Sequence, residues 1–209
     1  MRSPSLSIIN LFWISLLILV ISSCTNKEKS ESIENFPLKV DFLLILPVDI
    51  EVAGPDNDNG GQIAEGAITL SSILKNKAAS RKNTMFLSRN QVESLLGDYK
   101  GSEQEIIHYL GKETGADAVL QTRIFHYIKR TGNKYSVSQP ASVNFSYRLI
   151  HISTGGILCQ GQFDETQEPL FSDLFSFFKA SSRGFKWITA EELLKEGAKQ
   201  EFDGCIYLN

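Results

Sequence analysis

The sequence predicts an α/β (α+β) domain: a mixed sheet of about five strands with an antiparallel C-terminal meander, and helices packed on it. Three observations predict it. Phe42 to Leu46 is a continuous apolar run, the pattern of a strand buried on both faces. From Ile63 onward the apolar residues recur at three and four, which is helical spacing. The later chain is β-rich, and its clearest alternation, Ser142 to Ile152, demands a core on one side and water on the other.

Taken in order, Lys39 to Val52 opens as a buried strand and meets Pro47 at its end, where a missing N–H is tolerated. Gly54 to Gln62 reads GPDNDNGGQ and is a loop. Ile63, Ala67, Leu70, Leu74 and Ala78 then form the stripe of an amphipathic helix, and Thr84 to Leu87 a short strand. Ser88 with Gln91, and Ser102 with Glu105, are capping-box pairs that start two helices, ended by Gly97 and Gly115. Ala118 to Ile128 is the next strand, and Thr131 to Lys134 a turn. Within Ser142 to Ile152, Val143, Phe145, Tyr147 and Leu149 share one face, while Asn144, Ser146 and Arg148 share the other. Ser153 to Gly156 closes a hairpin, after which Ile157, Cys159, Gly161 and Phe163 continue the inward row. Leu170 to Phe178 is an aromatic-rich helix, and Thr189 with Glu192 caps the last one, Ala190 to Glu201.

The chain has 209 residues with 21 basic and 24 acidic side chains. That balance gives no basic footprint for nucleic acid, and a composition 42% hydrophobic and 22% charged excludes a disordered or disulfide-dense chain. No residue from Ser3 to Asn26 is charged. Arg2 precedes an apolar core, Leu11 to Ile21, and small residues Ser22 and Ser23 follow it, which is the anatomy of a secretory signal. Val20-Ile21-Ser22-Ser23-Cys24 resembles the bacterial lipobox, which implies a diacylglycerol on Cys24 and cleavage after Ser23. The alternative is a plain membrane-spanning anchor, for which the uncharged run is long enough. The expected organisation is a signal peptide at 1–23, a lipidated Cys with a flexible tether at 24–37, and a periplasmic domain at 38–209. Residues Thr25 to Phe36 of the tether would reach about 40 Å fully extended and about 20 Å as a coil. Thr25, in place of the Asp that marks inner-membrane retention in enterobacterial-type sorting, points to the outer membrane. Loss of Arg2 takes the net charge from −3 to −4, so the mature domain is mildly acidic. Cys159 and Cys205 remain, in an oxidising compartment, either paired or as buried apolar thiols.

Catalytic patterns are scarce. His108, His126 and His151 stand apart, without HExxH or CxxC spacing for zinc, although His126 and His151 fall on neighbouring strands. The phosphate-loop pattern fails, since Ala67 and Ile68 stand where Lys and Ser/Thr are needed after Gly66. Asp56 and Asp58 offer oxygen at alternate positions, as calcium requires, but the twelfth position of that loop is Ala67, not Glu, and turn chemistry explains the same residues. Asp164, Glu165 or the histidines are what an envelope hydrolase would use; Glu191 and Glu192 are accounted for by the helix start. No metal and no cofactor is expected.

The strand ending LLILPVDI, the Gly/Asn/Asp loop, the helix, and Gly115-Ala116-Asp117-Ala118-Val119-Leu120 entering a strand resemble the periplasmic α/β domain of several envelope families. These are the curli-secretion lipoproteins, the outer-membrane lipoprotein activators of peptidoglycan synthases, and the N-terminal domain of the Tol translocation protein. PASVNFSYRLIHISTGGIL, FDETQEPL and WITAEELL are similar to small uncharacterised Gram-negative lipoproteins. The resemblance implies fold and location, and brings over no catalytic residue. The turns leave too little lipid-facing alternation for a curli-type pore.

The expectation is therefore a non-enzymatic, lipid-anchored binding or assembly module, with an envelope protein or the cell wall as partner and the membrane engaged through Cys24. Phe171, Phe175, Phe178 and Trp187 are the candidate partner-facing residues, as an apolar patch marks an interface; covering the sheet is their other use. An envelope hydrolase and a calcium- or small-ligand-binding lipoprotein are the alternatives.

Overall fold

Eight strands and four helices are present among the residues described by the computed structural model, which are 38–51, 60–132, 137–167 and 187–208. In chain order they are β1 (Leu43–Ile45), β2 (Asp49–Ile50), α1 (Gly60–Ala78), β3 (Thr84–Phe86), α2 (Arg89–Leu96) and α3 (Glu103–Thr114). Then come β4 (Ala118–Ile128), β5 (Thr131–Gly132), β6 (Val137–Gln139), β7 (Ser142–His151), β8 (Ile157–Thr166) and α4 (Ala190–Asp203), with a closing 3₁₀ turn at Ile206–Leu208.

The main sheet is mixed, in the order β3-β1-β4-β7-β8, with β2 also on β4. β1 runs parallel to both β3 and β4, so Leu43, Leu44 and Ile45 are closed in on both faces, as the apolar run requires. Pro47 does not end this strand line. Ile45 lies opposite Leu120 and Asp49 opposite Arg123, four residues on one side against three on the other. The extra residue makes a bulge at Leu46-Pro47-Val48, after which β2 resumes the pairing. β4, β7 and β8 form the expected antiparallel meander.

Two apolar layers close the sheet. On one face α1 and α4 pack through Ile63, Leu70 and Leu74, and through Leu193, Leu194 and Phe202, against Ile124, Phe145 and Leu149. On the other, α2 and α3 cover only Leu44, Val119 and Ile152. Beyond Ile150, that second face carries mainly polar side chains, among them Gln121 and Arg123 of β4, Asn144, Ser146 and Arg148 of β7, and Gln160 and Gln162 of β8. Phe202 sits between Phe145 and Tyr147, with ring centroids 5.9 and 5.0 Å away, and the Tyr147 hydroxyl donates to the Glu201 carbonyl at 2.9 Å. α4 comes close enough that a Cβ on Gly197 would lie 2.6 Å from Cγ of Phe163.

Local signals formed as read. All three capping boxes are present: Ser88 with Gln91, Ser102 with Glu105, and Thr189 with Glu192. Asp117, of the Gly-Ala-Asp turn, accepts the backbone N–H of Asp41 at 2.9 Å and of Phe42 at 2.8 Å, which holds the entry into β1. Asp117→Ala is expected to cost about 2 kcal/mol, since two charge-assisted bonds are lost together. A urea-unfolding midpoint unchanged from wild type would contradict that role.

Two further readings change, and the cysteine alternative is decided. Thr131 and Gly132, read as turn, pair with β6 in a small two-stranded sheet. Ile157 leaves the inward row: Leu149 faces Cys159 but Ile150 faces Ile157, so Leu158 is bulged and Ile157 is 52% exposed. The cysteines are joined, Cys159 of β8 to Cys205 at a Cα separation of 5.9 Å. The C-terminal turn is held from a second side by Arg81, whose guanidinium donates to the Tyr207 carbonyl at 2.7 Å and to that of Val40. The predicted helix Leu170 to Phe178 lies outside the described residues. No described helix is long and apolar enough to cross a membrane.

Candidate functional site: a charged groove at the carboxyl ends of the parallel strands

The extra residue at Leu46-Pro47-Val48 lifts the chain where β1 ends, beside the starts of α2 and α3. Clefts at the carboxyl ends of parallel strands are where open α/β sheets take their ligands. A cavity of about 360 Å³ lies there, with Leu46, Val92 and Ile106 as half-buried apolar walls and Asp49 and Arg89 as charged ones. It shares Leu46 and Pro47 with a second cavity of about 300 Å³ that reaches Leu74 and Lys75 of α1 and Phe86 of β3. It shares Glu103 and Gln121 with a third, of about 230 Å³, which opens on Arg123, Ser146 and Arg148 of the polar sheet face.

The wall between the first and the third is built by register. Gln121 and Arg123 alternate onto the same face of β4, and Arg148 lies directly opposite Gln121 on β7. Gln121 is only 5% exposed, yet both ends of its amide are used. Its Nε2 donates to Glu103 Oε1 at 2.5 Å and its Oε1 accepts from Arg148 Nη2 at 2.8 Å. Arg148 Nη2 also reaches Glu103 Oε2 at 3.0 Å, Arg123 bonds to Glu103, and Arg123 Nη1 pairs with Glu51 at 3.0 Å. Glu103 is the first residue of α3, so its carboxylate is placed by the Ser102 cap.

Electrostatics separates the two carboxylates of the groove. Burial pushes the Glu103 carboxyl up, but the Gln121 hydrogen bond, the Arg123 charge and the Arg148 contact together outweigh it and hold its pKa below the usual carboxylate range. Burial pushes Asp49 up, only partly opposed by Arg123 and Arg89. The Glu103 contribution to stability is present above its unfolded-state pKa and is lost as pH falls through its lower folded value. Glu103→Gln should therefore flatten part of the acid limb of a stability–pH curve. The cost at neutral pH is expected to stay below about 1 kcal/mol, because the pair is solvent-exposed. An unchanged acid limb would contradict the assignment.

The residues singled out from sequence do not converge. His126 is level with Asn144 and Ala118 with His151, which puts the two histidines at opposite ends of the β4–β7 pair. His126 Nε2 lies 2.7 Å from Ser142 Oγ, itself 2.5 Å from Thr166 Oγ1, a cross-strand chain. His151 Nδ1 lies 3.0 Å from Thr154 Oγ1 in the β7–β8 turn, and His108 is half-buried on α3. Asp164 and Glu165 are successive strand residues and leave β8 on opposite faces. Among the described residues no group of three or more His, Cys, Asp or Glu could hold a metal ion. Trp187 is half-buried just ahead of the Thr189 cap. Cys24, Asp56, Asp58, Phe171, Phe175 and Phe178 lie outside the described residues.

Sequence reading missed the groove residues Asp49, Arg89, Glu103, Gln121 and Arg123. The one available signal was the polar side of the alternation, on which Arg148 was already placed.

No protein-family model matches the chain, and no curated protein matches it either. Solved structures similar to it include the PelC dodecamer from Paraburkholderia phytofirmans, at 10% identity over 77% of this chain and 83% of that one, with a TM-score of 0.45. The LpoB C-terminal domain from Salmonella enterica is 20% identical over 63% of this chain and 87% of that one, at 0.39. Lipoprotein GNA1162 from Neisseria meningitidis is 18% identical over 69% and 94%, at 0.37. None of these three is a curli-secretion or Tol protein, so the resemblance to those two families gains no support from them. At such low identities and scores the likenesses assign this chain no role.

Proposed function

We propose that this chain is a lipid-anchored periplasmic lipoprotein of the outer membrane whose domain is a non-enzymatic binding or assembly module of the cell envelope. Val20-Ile21-Ser22-Ser23-Cys24 supports the anchor, and Thr25 to Asn35, polar and without apolar periodicity, supports a tether. Two or three acyl chains on Cys24 would hold it permanently, at about 0.8 kcal/mol per buried methylene. The observation that carries the binding role is the groove at the carboxyl ends of β1 and β3, apolar in its middle and charged along its walls. Residues 24–37 would serve as the leash and 38–209 as the binding domain, with Phe171, Phe175, Phe178 and Trp187 as a further contact surface.

The anchor is tested by metabolic labelling with radioactive palmitate in a Gram-negative host. Wild type should be labelled and cleaved, while Cys24→Ala should carry no label and run as the uncleaved precursor. Label persisting on the variant would remove the anchor from the reading. In-cell cross-linking from positions around the groove, followed by identification of the captured protein, tests the binding role. Turnover of an envelope substrate by the purified chain, with no specific capture, would overturn it.

A further inference from the structure

The three cavities lie in a row. They adjoin across shared walls, Leu46 and Pro47 on one side, Glu103 and Gln121 on the other, and pass the columns of β3, β1 and β4 toward β7. Four strands side by side span about 14 Å, the length of four or five extended residues. An elongated trough of this kind suits a peptide segment better than a compact small molecule.

Its charge says which segment. Lys75, Arg89, Arg123 and Arg148 line it, against Asp49 and Glu103; with Arg123 and Arg148 paired to Glu103, and Arg123 also to Glu51, the charges left over are Lys75 and Arg89 against Asp49. Glu103 is already committed to Gln121, Arg123 and Arg148. Among the described residues Arg89, at the first turn of α2, makes no hydrogen bond or salt bridge, although its charge is felt by Asp49, and it stands beside the half-buried Val92 and Ile106. A cationic trough with an aliphatic middle is complementary to an acidic strand that carries an aliphatic side chain. Resting on the binding role proposed above, we infer that the groove takes an extended acidic segment of a partner protein, one aliphatic residue seated among Leu46, Val92 and Ile106 and its flanking carboxylates on Arg89 and on the Arg148 end.

The test is panning of a displayed random decapeptide library against the full mature chain, with the Arg89→Glu variant as counter-selection. Enriched peptides should carry Asp or Glu on both sides of Leu, Ile or Val, and the best of them, measured by fluorescence anisotropy, should bind Arg89→Glu about tenfold or more weakly. Val92→Glu, in the half-buried apolar wall of the groove, should lose binding to a similar extent, with the circular dichroism spectrum checking that the variant is folded. Raising salt should weaken binding, since surface charges are screened. Peptides retained equally by Arg89→Glu, or a basic consensus, would overturn this inference and leave the binding role standing on another surface. No enrichment at all would overturn it too, and the cross-linking experiment then decides the binding role separately.

Discussion

Phe202→Ala is expected to lower the free energy of unfolding by about 3–5 kcal/mol, the range for deleting a buried aromatic ring. Phe202 is fully buried and comes from α4, the last helix of the chain, but its ring meets Phe145 and Tyr147 on the central strand of the meander. The void would open between two rigid elements. The sheet side cannot collapse into it, because β7 is held on both sides by β4 and β8. The aromatic contacts themselves contribute about 0.5–1.5 kcal/mol each beyond the buried area. Urea unfolding followed by circular dichroism would read the loss, and a thermal scan should show a drop of roughly 6–20 °C. A change under about 1 kcal/mol would mean that α4 is not packed on the sheet as described.

Removal of the Cys159–Cys205 disulfide is expected to cost about 4 kcal/mol in the chain-entropy account, because 46 residues separate the two cysteines. Distorting or compensating effects keep measured values within about 2–5 kcal/mol. Cys159→Ala with Cys205→Ala, compared with wild type and with wild type under reductant, separates the bond from the side chains. Cys205 is nearly fully buried and Cys159 partly so, hence the double alanine variant carries a small packing loss as well. Equal stability of the oxidised and reduced forms would show that the bond closes no loop that matters. The reduced protein should lose the C-terminal turn first, since the bond, Arg81 and the Phe202 ring are what hold it.

What could be read from sequence was local. Ser88, Ser102 and Thr189 each find their Gln or Glu three residues on, so a capping box is written in four consecutive letters. The stripe of α1 and the alternation of β7 are likewise periodicities within one segment. The parallel pairing of β1 with β3 and β4 was legible only as burial on both faces. Its register depends on partners 41 and 75 residues away, Leu43 with Thr84 and with Ala118. Bulges at Leu46-Pro47-Val48 and at Leu158 are mismatches between two strands, and neither strand alone shows them. The groove is less legible still. Asp49, Arg89, Glu103, Gln121 and Arg148 come from separate elements, and no spacing rule joins residues that only the crossovers bring together. The cysteine pair stayed open for the same reason.

The clamp of Arg81 on the carbonyls of Val40 and Tyr207 has a mechanical consequence. The chain enters the sheet at the amino end of β1, and the groove lies at the carboxyl end of the same strand. A pull between the entry and an occupant of the groove therefore runs along β1, parallel to its hydrogen-bonded neighbours on both sides. Such a load shears the ladder bonds together instead of peeling them one at a time. Through Arg81 and the disulfide, part of it passes into α4 and β8 before β1 can slip. The domain is built to stay folded when pulled from the amino end of β1, and to come apart most readily when force is applied across the edge of β8 or β3.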